Sequence, residues 1–395
     1  MKWRGRLSGP RLPGASDANG TGASEPGRRE FLKSVGPSAL VTAGVLFGHP
    51  AVAKGAPRGL SDFGHRYVDF GSGDDRNSGL SPAAAKKTIQ AAHDDLATTG
   101  PPRMNGGTIW LARGQHVIND VEISNDGTRI IGAGVWATEL VVNRGGSDGL
   151  RFTGESCYLS DLQITDRSNR SDSGTGGRYA IYVDGGQESV FERLFINGWS
   201  DNYSGPNGFD VEPTAIFIEG VSSFGDWLEL RHIRTRGNYS GLKLSSGTNG
   251  WVDHCVFSGT RQTVWIKRRD REVGRSVSWR FLECQWLGGP EDDFSVRCES
   301  DTDSWEGRIH FTSCFLEISA ATNPSSGYYS DLSNTIIMGG HLGGAGMRPG
   351  QKAIHLGPHS AGSVVGPYTE DGLSVPGAFQ DDGDASWWRP NNLGF

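Results

Sequence analysis

The chain has 395 residues, 59 of them glycine, with 35% hydrophobic residues and a formal net charge of -7. Abundant glycine beside a modest apolar fraction disfavours a helical bundle and favours many short strands joined by turns. Mild acidity without a basic stripe argues against nucleic-acid binding, and no apolar run approaches the roughly 20 residues that a membrane span needs.

The N-terminus reads as an export signal. Arg28-Arg29-Glu30-Phe31-Leu32-Lys33 resembles the twin-arginine consensus, a weakly apolar stretch follows from Val35 to Phe47, and Ala51-Val52-Ala53 offers small residues for cleavage. Residues 1–53 are therefore expected to be a twin-arginine signal that delivers a folded protein to the periplasm or the exterior, leaving 54–395 as one domain. Five cysteines are an odd number and a low density for an exported chain, so no disulfide framework is indicated.

After the leader, Tyr67–Phe70 is a strand running into a turn rich in Gly, Asp and Asn, Gly71–Gly79. Ser81-Pro82 supplies an N-cap and a first-turn proline, Ile89, Ala92 and Leu96 share one face of the helix that follows, and Gly100-Pro101-Pro102 stops it. Gly106-Gly107-Thr108-Ile109-Trp110-Leu111 then opens a strand. This strand–turn–helix–strand beginning, over Gly71–Ala91 and Gly106–Gly134, resembles the start of pectate-lyase-like (pectin lyase fold) proteins. The resemblance implies an all-β, single-stranded, right-handed parallel β-helix whose open end is covered by a short N-terminal helix, with the cap over about 60–105. A stack of strands must hide its terminal edge or aggregate.

Onward from Gly149, pairs of strand-like segments recur. The first member alternates apolar and larger or polar residues, as in Ala180–Asp184, Ala215–Glu219, Gly241–Ser245, Val264–Lys267 and Phe294–Arg297. The second repeats a spacing seen in Phe191/Leu194/Ile196, Val252/Cys255/Phe257, Phe281/Cys284/Trp286 and Phe311/Cys314/Leu316. Repetition of this kind predicts a solenoid of stacked coils, with Cys255, Cys284 and Cys314 as an inward ladder of buried thiols. A β-sandwich or propeller is the competing fold, but hairpin signals and a blade signature are missing. The Asp- and Gly-rich tail Gln380–Asp384 and Trp387-Trp388, within about 376–395, is expected to close the last coil.

Motifs that suggest a reaction fail on context. Gly132–Ala137 has the dinucleotide spacing, yet Thr138–Val142 continues as strand where a helix would have to hold the pyrophosphate. Trp251-Val252-Asp253-His254 is similar to a stretch of one large pectate lyase family, whose downstream R-x-P-x-x-R motif is missing. Asp292-Asp293 and Ile266-Lys267 stand in the wrong order for a polygalacturonase, and no Gly-His-Gly occurs. Val252–Phe257 is therefore read as one more coil.

Aligning the first members of the pairs gives a candidate site. With Leu150, Ile181, Ile216, Leu242 and Val264 in one inward column, one outward column runs Arg151, Tyr182, Phe217, Lys243, Trp265. The other runs Thr153, Asp184, Glu219, Ser245, Lys267, with Arg297 beside the last strand. Asp184, Glu219, Lys243 and Lys267 are the catalytic candidates, and Arg151, Tyr182, Trp265 and Arg297 the substrate-binding ones. Two carboxylates about 5 Å apart suit a glycoside hydrolase. Cations beyond them suit a lyase on a uronic-acid polymer, where they stabilise the carboxylate-derived intermediate. The plainer alternative is a solvated face of mixed charge.

Asp74, Asp75 and Asn77 could hold calcium through oxygen ligands, although an Asx-rich turn is the default explanation for them. The scattered histidines show no metal spacing. The reading is a secreted enzyme that cleaves a polysaccharide by hydrolysis or β-elimination, as a monomer or homotrimer. Its rivals are a non-catalytic, tailspike-like glycan-binding solenoid and a structural spacer.

Overall fold

Each predicted strand is apolar on one side only, so its inner face and both edges need a neighbouring coil. The computed structural model describes residues 64–99, 106–144, 147–167, 178–199, 208–210, 212–220, 225–245, 248–269, 277–288, 293–301, 306–317, 326–343, 351–366, 369–371, 379–383 and 387–388. The expected export signal, the Gly100-Pro101-Pro102 stop and Asp292 lie outside these residues.

The described strands stack in parallel and in register. A ten-stranded sheet, here the front face, takes one strand from each coil in chain order. Its strands are Val121–Ile123, Leu150–Phe152, Tyr179–Asp184, Thr214–Glu219, Ser240–Ser245, Val264–Arg268, Phe294–Ser300, Ser326–Ser330, Ile354–Leu356 and Phe379–Asp381. A second sheet of 20 strands forms the rest of the wall. The architecture is a right-handed parallel β-helix, capped by the α-helix Ile89–Thr99.

The structure adds a corner that the paired reading of the sequence lacks. The second segment of each repeat bends at Asp161, Arg193, His232, His254, Glu283 or Ser313, whose φ lies between 49° and 61°. A left-handed residue breaks strict alternation, so the apolar positions step by three across the bend, as from Phe191 to Leu194. The residue after each bend (Leu162, Leu194, Ile233, Cys255, Cys284, Cys314) points inward and is buried. The thiols of Cys255, Cys284 and Cys314 donate to the carbonyls of Leu230, Val252 and Phe281 at 3.5, 3.3 and 3.6 Å. Burial pushes the Cys284 thiol far above the usual range, so that thiol stays protonated inside the stack.

Aromatic residues fill the same interior. Phe281 stacks on Phe311 at 4.9 Å, and the Trp286 indole donates to the Tyr328 hydroxyl at 2.7 Å. At the N-terminal end Ile89, Ala92 and Leu96 are all buried against the first coil. Ser81 and Pro82 open only a short 3-10 turn, Pro82–Ala84, and Ser81 makes no side-chain cap. The α-helix starts later because Thr88 caps it, its hydroxyl accepting the Ala91 N–H at 3.2 Å. Gly132 serves close packing: a Cβ there would lie 2.2 Å from the Asp161 carbonyl of the next coil. Thr138–Val142 is a strand.

The described residues of the tail add strands to the stack. Phe379–Asp381 pairs with Ile354–Leu356, and Trp387–Trp388 with Val364–Val365, so both extend it in register. Among the described residues no helix is long and apolar enough to cross a membrane.

Two outcomes check this packing. Phe281→Ala should destabilise the fold by about 3–5 kcal/mol in denaturant unfolding, as expected for an emptied aromatic site. Because Cys157, Cys255, Cys284, Cys298 and Cys314 are free and buried, the thermal midpoint should be the same with and without reductant. A drop on reduction would contradict the thiol ladder.

Candidate functional site

In-register stacking turns the front face into columns of side chains about 4.8 Å apart along the axis. Strand pairing gives one outward column as Glu122, Arg151, Tyr182, Phe217, Lys243, Trp265, Arg297, Tyr329, His355 and Gln380. Asp184 pairs with Glu219, Ser245 with Lys267, and Lys267 with Glu299 in the adjacent column. Arg297 therefore stands beside Trp265 rather than after Lys267, and Glu299 takes the place the sequence alignment gave it.

The middle of the face is sealed. Phe209 packs edge-on against Phe217 at 5.4 Å and Trp265 at 5.3 Å. Beneath it Lys243 is 0% exposed, its Nζ donating to the Phe209 and Glu212 carbonyls at 3.0 and 3.3 Å and lying 3.4 Å from the Glu212 carboxylate. Burial pushes the Lys243 amine down to about 8 against the opposing pull of Glu212. Lys243 is thus outward on its strand, as expected, but closed off from any ligand, and the exposed catalytic lysine of the sequence reading is corrected. Glu219 is also buried, accepting from the Tyr182 hydroxyl and from Arg269, which pairs in turn with Asp210 at 2.6 Å. Burial and then the Glu219 carboxylate drive the Tyr182 phenol far above its usual range. Asp184, half-buried, is held by Arg151 at 3.1 Å, and that guanidinium lies over the Tyr182 ring. The expected carboxylate pair is adjacent in register, yet each acid is committed to a cation.

Toward the C-terminal end the face opens. Lys267 bridges Glu299 at 3.5 Å and Asp301 at 2.9 Å, and the Trp265 indole donates to Glu299 at 2.9 Å. Arg297 donates through Nε to Glu299 at 2.7 Å and through Nη1 to Asp293 at 3.2 Å, so neither bond uses Nη2. Its guanidinium lies 5.8 Å from the centre of the Tyr329 ring. Burial raises the Tyr329 phenol to about 12. Next in the column, the His355 ring meets Tyr329 at 5.2 Å, and its Nε2 is 2.8 Å from Asp382. The Asp382 carboxyl is held below its ordinary value, first by that bond and then by Gln380. A guanidinium, a phenol and an imidazole oriented by a carboxylate thus stand side by side on a partly exposed surface.

Tyr329, His355 and Asp382 lie beyond Arg297, the last residue of the aligned strand segments. Continuing the period-2 column by two coils reaches Tyr329 and His355. Phe209, Glu212 and Arg269 come from long connections, for which strand periodicity carries no signal. The Trp251–His254 stretch is an ordinary coil ending at the corner residue His254. There the Asp253 carboxylate, hydrogen-bonded at 2.6 Å, holds the imidazole above its usual value. Asp74, Asp75 and Asn77 serve the N-terminal turn: Asp75 accepts the Lys87 and Thr88 N–H groups at 2.9 and 2.8 Å, and Asn77 donates to the Ala85 carbonyl. No group of three or more His, Cys, Asp or Glu among the described residues could hold a metal ion.

The sealed pair yields a test. Lys243→Met leaves Glu212 buried without its lysine and should cost about 3 kcal/mol, whereas adding Glu212→Gln should recover most of the loss. The folded chain releases the Lys243 proton near 8 and the unfolded chain near 10.5. Stability relative to the double variant should therefore rise across that interval, measured by urea unfolding.

No protein-family profile matches the chain, and no curated protein matches it. Its similarity is to solved structures. A rhamnogalacturonan lyase superposes with a TM-score of 0.51 at 8% identity, over 80% of this chain and 86% of that one. An alginate lyase from Paenibacillus sp. str. FPU-7 does so with a TM-score of 0.51 at 10% identity, over 75% and 97%. At such identities the likeness is one of fold, the right-handed parallel β-helix.

Proposed function

We propose that the protein is an exported enzyme that cleaves a uronic-acid-containing polysaccharide by β-elimination at the open end of the front face. The observation that carries this reading is the placement of Arg297, Tyr329 and His355, each partly exposed, at successive positions of one register column, with Asp382 on the imidazole.

Elimination needs a group to take the proton α to the uronate carboxylate, a donor for the departing glycosidic oxygen, and a cation for the charge that develops on the carboxylate. His355, with Nε2 directed at Asp382, presents Nδ1 as the base. The Tyr329 phenol, raised to about 12, keeps its proton at neutral pH and serves as the donor. Arg297 would meet the carboxylate through Nη2, which its bonds to Glu299 and Asp293 do not use, and Lys267 extends the cationic edge. The C–H and C–O bonds break, a carbon–carbon double bond forms, and the proton passes to the imidazole. The similar solved structures named as lyases support the scaffold, and the side chains here supply the chemistry.

Hydrolysis by Asp184 and Glu219 is the weaker reading, since both acids are tied to cations. A binding solenoid would need no oriented imidazole. Mature protein should be incubated with alginate, rhamnogalacturonan, polygalacturonate and neutral glucans while reducing ends and unsaturated-uronate absorbance are followed. The expected result is unsaturated ends, with His355→Ala and Tyr329→Phe each slowing the reaction about 10²–10⁴-fold. Lys267→Ala should raise KM more than it lowers kcat. Asp184→Asn, about 24 Å away along the stack, should leave the rate unchanged. Saturated ends abolished by Asp184→Asn would overturn the proposal, as would retention on a glycan without cleavage.

A further inference from the structure

A second cluster lies on the other sheet, away from the front face. Trp227 is 57% exposed, and its ring lies 5.1 Å from that of Trp251 on the next coil at an interplanar angle of 38°. Among the described residues, the other large exposed apolar side chains, Trp136 and Leu80 included, form no such pair of partly exposed aromatic rings. Water gives no reason to display two adjacent indoles, and a pair differs in kind from the scattered apolar residues of any surface.

The backbone is bent to produce the display. Trp227 has φ 64°, a left-handed conformation that a bulky residue rarely adopts, and the strand pairing slips at this point between Gly225 and Leu228. The Asn249 side-chain oxygen accepts the Trp227 N–H at 2.8 Å and holds the bulge in place. Glycine at this position would meet the same backbone without strain. A strained conformation retained by a large exposed side chain points to a use for that side chain.

Around the rings the polar groups suit a hydroxyl-rich ligand. Strand pairing sets Glu229, Trp251 and Arg280 side by side, and Arg231 pairs with Glu229. An indole face attracts the electropositive C–H side of a pyranose, while a carboxylate and guanidinium at its rim bond equatorial hydroxyls. We infer that Trp227 and Trp251 form a glycan-binding platform, separate from the cleavage site, that holds a pyranose of the polymer through its C–H face. The ligand class rests on the polysaccharide reading above; the position does not depend on the catalytic assignment.

The test uses full-length protein in a His355→Ala background, so that retention is measured without degradation. Affinity electrophoresis through the same four polysaccharides compares that background with added Trp227→Ala, Trp251→Ala, Trp227→Tyr and Trp227→Gly. The polysaccharide that retards the background most should be bound about tenfold more weakly after either alanine change, with Trp227→Tyr restoring most of the retention. Trp227→Gly should weaken binding while its thermal midpoint does not fall, which separates lost contact from lost fold. Retention within twofold of the background in both alanine variants would overturn the platform, as would a background that no polysaccharide retards. If His355→Ala still cleaves, the catalytic reading fails while the tryptophan comparison stands.

Discussion

Parallel in-register stacking is the constraint from which the rest follows. It sets every outward residue about 4.8 Å from its equivalents on the coils before and after, so a column of like charges would repel along its whole length. The main outward column avoids this by separating cations with rings: Arg151, then Tyr182 and Phe217, Lys243, Trp265, Arg297, Tyr329. Where acids are adjacent, at Asp184 and Glu219, the structure supplies a separate cation to each, Arg151 and Arg269.

That arrangement divides the front face in two. In the middle, charge is neutralised by burial of complete pairs: Lys243 with Glu212 under Phe209, and Glu219 with Arg269. These ties hold a long connection onto the sheet and remove their charges from solvent. Near the C-terminal end the pairs stay partly exposed, and Arg297, Tyr329 and His355 meet the surface. The difference in burial, more than the identity of the residues, separates scaffold from candidate chemistry.

Much of this could be read from the chain. Period-2 alternation gave the front strands and their outward columns, and the recurrence of Cys255, Cys284 and Cys314 gave the stacking interval. The cap helix followed from Ile89, Ala92 and Leu96. The corner escaped because a single left-handed residue such as Arg193 or Glu283 has no compositional mark. Alternation reports which way the Lys243 side chain points and says nothing of Phe209, which covers it. Phe209 and Glu212 come from a connection without periodicity, and Asp382 from a tail that continues the stack. Long-range coverage of this kind is a property of the folded object, and it decides which charged residues can act.

The central claim is that glycan meets the protein at the open end of the front face. Hydroxyl-radical footprinting with saturating alginate, rhamnogalacturonan or polygalacturonate tests it most directly. The account predicts protection of Tyr329, of His355 and of Phe294, whose ring lies 5.2 Å from that of Tyr329 and 5.8 Å from that of His355, by the polysaccharide that binds. Unchanged reactivity of all three with every bound polysaccharide would contradict it.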